Sequence, residues 1–74
     1  MSIGEKLRQL RGARTLEQVA NATGISQSAM TMYELDKRIP RDRVKVILAR
    51  YYGQSVGSIF FQEDVTISDG DGVA

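Results

Sequence analysis

Residues 23–34 read TGISQSAMTMYE. Gly24, Ile25 and Ser26 are turn chemistry: Gly accepts the left-handed backbone that ends a helix, Ile25 can bury beside the turn, and Ser26 can cap the helix that follows. Beyond the turn, Met30 and Tyr33 stand at i and i+3 and predict one inward face. The outward positions Gln27, Ser28, Thr31 and Met32 carry hydrogen-bonding and soft apolar groups, with no Lys, Arg, Asp or Glu among them. A face that is merely solvated usually carries charge, so this neutral face raises the question of what it touches.

Upstream, Thr15-Leu16-Glu17-Gln18 has the form of a capping box, and Val19 and Ala20 follow as inward residues. The spacing predicts a helix over about 15–23 and a second over about 26–35, joined by a short turn containing Gly. That is the sequence form of a helix-turn-helix, although a helical hairpin in an ordinary bundle has the same spacing. A further capping box, Ser2 with Glu5, opens a first helix whose inward residues are Ile3, Leu7 and Leu10. Downstream, LDKRIPR (35–41) is a basic loop with Pro40 near the first turn of a fourth helix over about 41–52. Val44, Ile47, Leu48 and Tyr51 make its apolar face, and Gly53 is placed to end it. Ser55 can cap a last short helix carrying Val56, Ile59 and Phe60. The fold class is therefore all-α, with five helices in one domain over residues 1–61. Residues 62–74, QEDVTISDGDGVA, are expected to be a flexible acidic tail with room for a short strand at 65–67.

Seventy-four residues hold one modest core. The absence of Cys and His excludes disulfide staples, Cys/His zinc sites and thiol catalysis. No Gly-rich phosphate loop is present and no carboxylate pair sits on a cleft-forming element, so neither an enzyme nor a cofactor is expected. No apolar run nears the ~18 residues of a membrane span, and MSIGEKLRQL lacks a signal-peptide apolar region, so a cytoplasmic protein is expected. The net charge of +1 hides an asymmetry. Residues 1–61 hold all ten basic side chains and five acidic ones, a balance of +5; residues 62–74 hold four acidic side chains and no basic one. A basic body suits a polyanion partner.

The order and spacing of Ala20, Gly24-Ile25-Ser26-Gln27-Ser28, Tyr33-Glu34, the basic loop ending at Pro40, and Gly53-x-Ser55-Val56 with Ile59-Phe60 resemble the lambda-repressor-like, or XRE-type, helix-turn-helix family of phage repressors and Cro-like regulators. The likeness covers about residues 3–61. It implies sequence-specific binding of a pseudo-palindromic double-stranded DNA operator by a homodimer, with the third helix in the major groove. The family's base-reading positions fall on Gln27, Ser28 and Met32, with Thr31 able to reach a base or a phosphate. These residue types suit base reading, since Gln bonds bidentately to adenine, Ser serves several bases, and Met presses on a thymine methyl. The resemblance places backbone contacts at Lys37, Arg38 and Arg41, and at Arg11 and Arg14 before helix two, whose own amides can receive a phosphate. Tyr52, Phe60 and Phe61 are the candidate apolar surface for self-association, which Val65 and Ile67 could extend by pairing strands across a two-fold axis.

Three departures from the family pattern bear on affinity. Leu16 stands where a phosphate-gripping Gln is common, and Leu35-Asp36 stands where Asn-Gly is usual. Asp36 would repel a phosphate if it faced one. Asp42 and Lys45 occupy positions that are often apolar, which would rotate the packing of helix four. The alternative reading is thus a protein-interaction module on the same fold, with a protein partner and weak DNA binding.

Overall fold

The computed structural model describes residues 1–61. Within them the chain forms α1 (Ile3–Arg11), α2 (Leu16–Thr23), α3 (Gln27–Glu34), α4 (Asp42–Tyr52) and α5 (Val56–Phe60). The five-helix, all-α expectation holds, with boundaries within a residue or two of those read from the sequence. Val65 and Ile67, and the strand expected at 65–67, lie outside the described residues.

Local chemistry sets the helix ends. At α1 the Ser2 hydroxyl accepts from the Glu5 amide at 3.1 Å and the Glu5 carboxylate accepts from the Ser2 amide at 2.9 Å. At α2, Thr15 and Gln18 make the same reciprocal pair at 3.0 and 2.8 Å. Each box satisfies two donors that the first turn of a helix leaves without partners. Ser26 and Ser55 cap α3 and α5 through the amides of Ala29 and Ser58. Gly24 closes α2 in the left-handed region (φ 79°, ψ 6°). A side chain there would be strained, although nothing crowds the position. The α4 start is different: Arg41 occupies the cap position without a side-chain bond, after the buried Pro40.

The helices close a ring of packing around one core. α3 packs on α1 and α2, α2 on α4, α4 on α5, and α5 returns to α1. Leu7, Val19, Met30, Leu48 and Ile59, one from each helix, are the largest fully buried side chains. Ile25, in the turn, joins them, as do Tyr33, Ala49 and Phe60. The inward residues expected of α3 and α4 are thus buried or half-buried, with Ala49 added. Asp42 and Lys45 leave that face in place. The Asp42 side chain is exposed, and the Lys45 stem is covered, with its ammonium 4.7 Å from the Phe61 ring centroid and 5.7 Å from that of Phe60. A long cation stem can bury its methylenes and keep its charge over an aromatic face.

Candidate nucleic-acid interface

α3 stands on α1 and α2 by its inward edge, which turns its other edge to solvent. Gln27 and Ser28 are exposed in its first turn, while Thr31 and Met32 are half-buried one turn on. Ser28, Thr31 and Met32 line one open groove with Ser26, Ala29 and Arg38. Three of the four expected base-reading positions, Ser28, Thr31 and Met32, thus share a surface with Arg38, and Gln27 is exposed outside its lining. Ala29, half-buried, also lines the groove and adds only a methyl group there.

The α3–α4 loop carries the nearest cations. Lys37, Arg38 and Arg41 are all exposed. Arg38 also borders a second depression with Arg41, Ile39, Tyr33 and Val44, so it joins the two surfaces. Together these residues put three positive charges beside a neutral strip. Charge at the margin and hydrogen-bonding groups at the centre suit a duplex, whose phosphates flank its base edges.

Two of the residues expected to contact phosphate, Arg11 and Arg14, also have partners within the fold. The Arg11 guanidinium is turned to Glu34: Nε donates to Oε2 at 2.8 Å and Nη2 to Oε1 at 3.1 Å, while Nη1 donates to the Arg14 carbonyl at 2.8 Å. Its side chain is 19% exposed and that of Glu34 7%. The bonds to Glu34 raise the Arg11 pKa beyond its ordinary value, against the opposing effect of burial. This bidentate pair ties α1 to the end of α3, so the guanidinium expected to meet phosphate is engaged with Glu34 in the described structure. Arg14 is exposed, yet its guanidinium lies 5.3 Å from the Tyr51 ring centroid and 5.7 Å from that of Tyr52, and it donates to the Leu10 carbonyl. Arg8, which is not among the expected contacts, is exposed beside Arg11, Leu16, Thr31, Glu34 and Leu35. Its i, i+3 spacing from Arg11 is the one sequence signal that marks it.

The residues expected for self-association differ in exposure. Phe60 is 7% exposed and belongs to the core, because α5 turns it toward α1 and α4. Tyr52 is half-buried against Tyr51, with its hydroxyl enclosed and without a hydrogen-bond partner. Phe61 remains exposed at 57%. Leu16 is half-buried and packs against the core, so the side chain that replaces the expected Gln contributes to packing. No three His, Cys, Asp or Glu side chains are grouped to hold a metal ion among the described residues. No described helix is long and apolar enough to cross a membrane.

Comparison with known proteins returns no match among curated sequences and none among solved structures. A family model described as "Helix-turn-helix domain" matches residues 2–57, which spans α1 to α4 and the start of α5. The turn at Gly24, the neutral outward edge of α3 and that match agree, and the chain belongs to the helix-turn-helix domain family, within the lambda-repressor-like group of DNA-binding regulators.

Proposed function

We propose that this chain is a sequence-specific, double-stranded DNA-binding transcriptional regulator of the phage- or mobile-element-repressor type, acting as a dimer on a pseudo-palindromic operator. The observation that carries the reading is the groove on α3, lined by the uncharged Ser28, Thr31 and Met32 together with Arg38, with Gln27 exposed in the same first turn as Ser28. In this role α3 is the recognition helix. Gln27 and Ser28 read base edges from its first turn, Met32 covers a thymine methyl, and Thr31 reaches a base or phosphate. Lys37, Arg38 and Arg41 hold phosphates and set the register, and Arg14 contributes from the start of α2. Phe61 supplies apolar surface for the dimer, continued by Val65 and Ile67. Occlusion of a promoter is the simplest mode of regulation for such a body, in the cytoplasm where its DNA lies.

A protein-interaction module is the second reading, and one observation favours it. Leu35 and Ile39 are 56% and 71% exposed on either side of Lys37 and Arg38, an apolar margin that a protein partner could cover.

Selection of bound sequences from random duplex DNA, with the winner titrated at several salt concentrations, separates the two. A DNA reader enriches an inverted repeat, and its affinity falls linearly in log salt by about 0.9 per neutralised phosphate. Half-sites one helical turn apart, ~34–36 Å between recognition helices, are expected of the dimer. The absence of any enriched sequence would reject the proposal in favour of the interaction module.

A further inference from the structure

Asp36 is the one non-glycine residue with a positive φ (60°) among those described. It follows Leu35, the C-cap of α3, and occupies the left-handed position of a helix-ending motif. The Lys37 amide donates back to the Met32 carbonyl at 2.9 Å and the Asp36 amide to the Tyr33 carbonyl at 3.2 Å. Gly is the usual residue at such a position, because a Cβ is disfavoured there. This chain places an aspartate there, and its carboxylate is used. One oxygen accepts from the Ser2 hydroxyl at 2.6 Å and the other from the Gly4 amide at 2.9 Å, more than thirty residues away in sequence. The carboxylate therefore sits at the start of α1, on the Gly4 amide and the Ser2 hydroxyl, where the helix dipole favours an anion. Those two bonds, the one from Ser2 above that from Gly4, hold its pKa below the ordinary carboxylate value. Gly4 itself is buried, and a Cβ on it would overlap the Glu34 carbonyl and crowd an Asp36 oxygen. The N-terminus of α1 and the C-terminus of α3 are thus in direct contact at this point.

We infer that Asp36 is a positioning residue for the DNA-reading face: by holding the end of α3 against the start of α1, it sets where the recognition helix and the Lys37–Arg38 loop lie relative to a duplex. The inference rests on the DNA-binding function proposed above. Asp36 in this role has the opposite effect to that expected from charge alone. A carboxylate beside a phosphate-binding loop should weaken binding, so its removal should tighten binding to every sequence. A carboxylate that positions α3 gives the opposite sign, and only on the correct sequence.

The test uses the duplex selected by the parent chain and a random duplex of equal length, with affinities measured for the parent, Asp36→Gly and Asp36→Asn. Gly suits the left-handed backbone, so Asp36→Gly keeps the fold while losing the link to α1, and thermal melting verifies this. Asn tolerates that backbone, keeps an acceptor for the Gly4 amide and removes the charge. Asp36→Gly is expected to lose about tenfold on the selected duplex, the size of a mismatched base pair, with little change on the random one, and Asp36→Asn to bind both at least as well as the parent. Equal or tighter binding of the selected duplex by Asp36→Gly overturns the positioning role. So would an equal loss by Asp36→Gly on the random duplex, since a displaced reading face should cost affinity only where there is a sequence to read. Failure of the parent to select any duplex overturns the DNA-binding reading itself, and this inference falls with it.

Discussion

Gln27 and Arg38 are both exposed and have different chemistry, and that difference can be measured. An amide reads a base edge through paired donor and acceptor, whereas a guanidinium on a phosphate is indifferent to sequence. Gln27→Ala should cost roughly 1–3 kcal/mol on the selected duplex and much less on random DNA; equal losses on both would remove its base-reading role. Arg38→Ala should weaken both alike and flatten the log-salt slope by about one unit. Tyr52 makes a second test at this scale. Its phenol is pushed up to about 12 from 10.0, chiefly by burial, then by Glu34 and Tyr51, against the pull of Arg11 and Arg14. The folded state holds this proton more tightly than the unfolded state. The resulting contribution to stability is complete below about pH 10 and is lost as the pH climbs toward about 12. Because the enclosed hydroxyl has no partner, Tyr52→Phe should melt at the same temperature as the parent or higher at neutral pH and should remove a phenol that ionises at about pH 12 in ultraviolet titration. A lower melting temperature would show that the hydroxyl is bonded after all.

Helix identity and limits were legible in the sequence because their causes are local. Ser2 with Glu5 and Thr15 with Gln18 are three residues apart, and Gly24 and Gly53 each need only their own backbone angles. The links between helices were not legible in this way. Arg11 with Glu34 and Asp36 with Ser2 and Gly4 join residues that only the finished packing brings together. Spacing gives no signal for such pairs, so Arg11 reads from sequence as a free cation and Asp36 as a repelling anion. The different burial of Phe60 and Phe61 was not legible for a related reason: a five-residue helix is too short for periodicity to tell them apart. The Arg11–Glu34 pair predicts a large effect at this scale. Arg11→Met leaves a carboxylate that is 7% exposed without its counter-charge, a loss of about 3 kcal/mol. Thermal denaturation checks it, and Arg11→Met combined with Glu34→Leu should recover most of the difference. A single variant as stable as the parent would show that the pair does not hold α1 to α3.

Across the whole molecule, charge is divided by position in the chain. The body to Phe61 has a balance of +5, against +1 for all 74 residues. A chain ending at Phe61 should therefore bind random duplex more tightly at low salt. The same chain should shift toward monomer in analytical ultracentrifugation if Val65 and Ile67 contribute to the dimer, and an unchanged dimer would exclude them. The division also holds within the proposed interface, where α3 presents Gln27, Ser28, Thr31 and Met32 while the loop beyond it holds Lys37, Arg38 and Arg41. None of the four neutral side chains is in the fully buried core, and none of the three cations is on α3. Under the proposed function, a descendant could exchange the first set to address a new target without forfeiting its grip on DNA or its fold. The repertoire of such a scaffold would then diversify by drift at a few surface codons, with each intermediate still folded and still bound to the genome it searches.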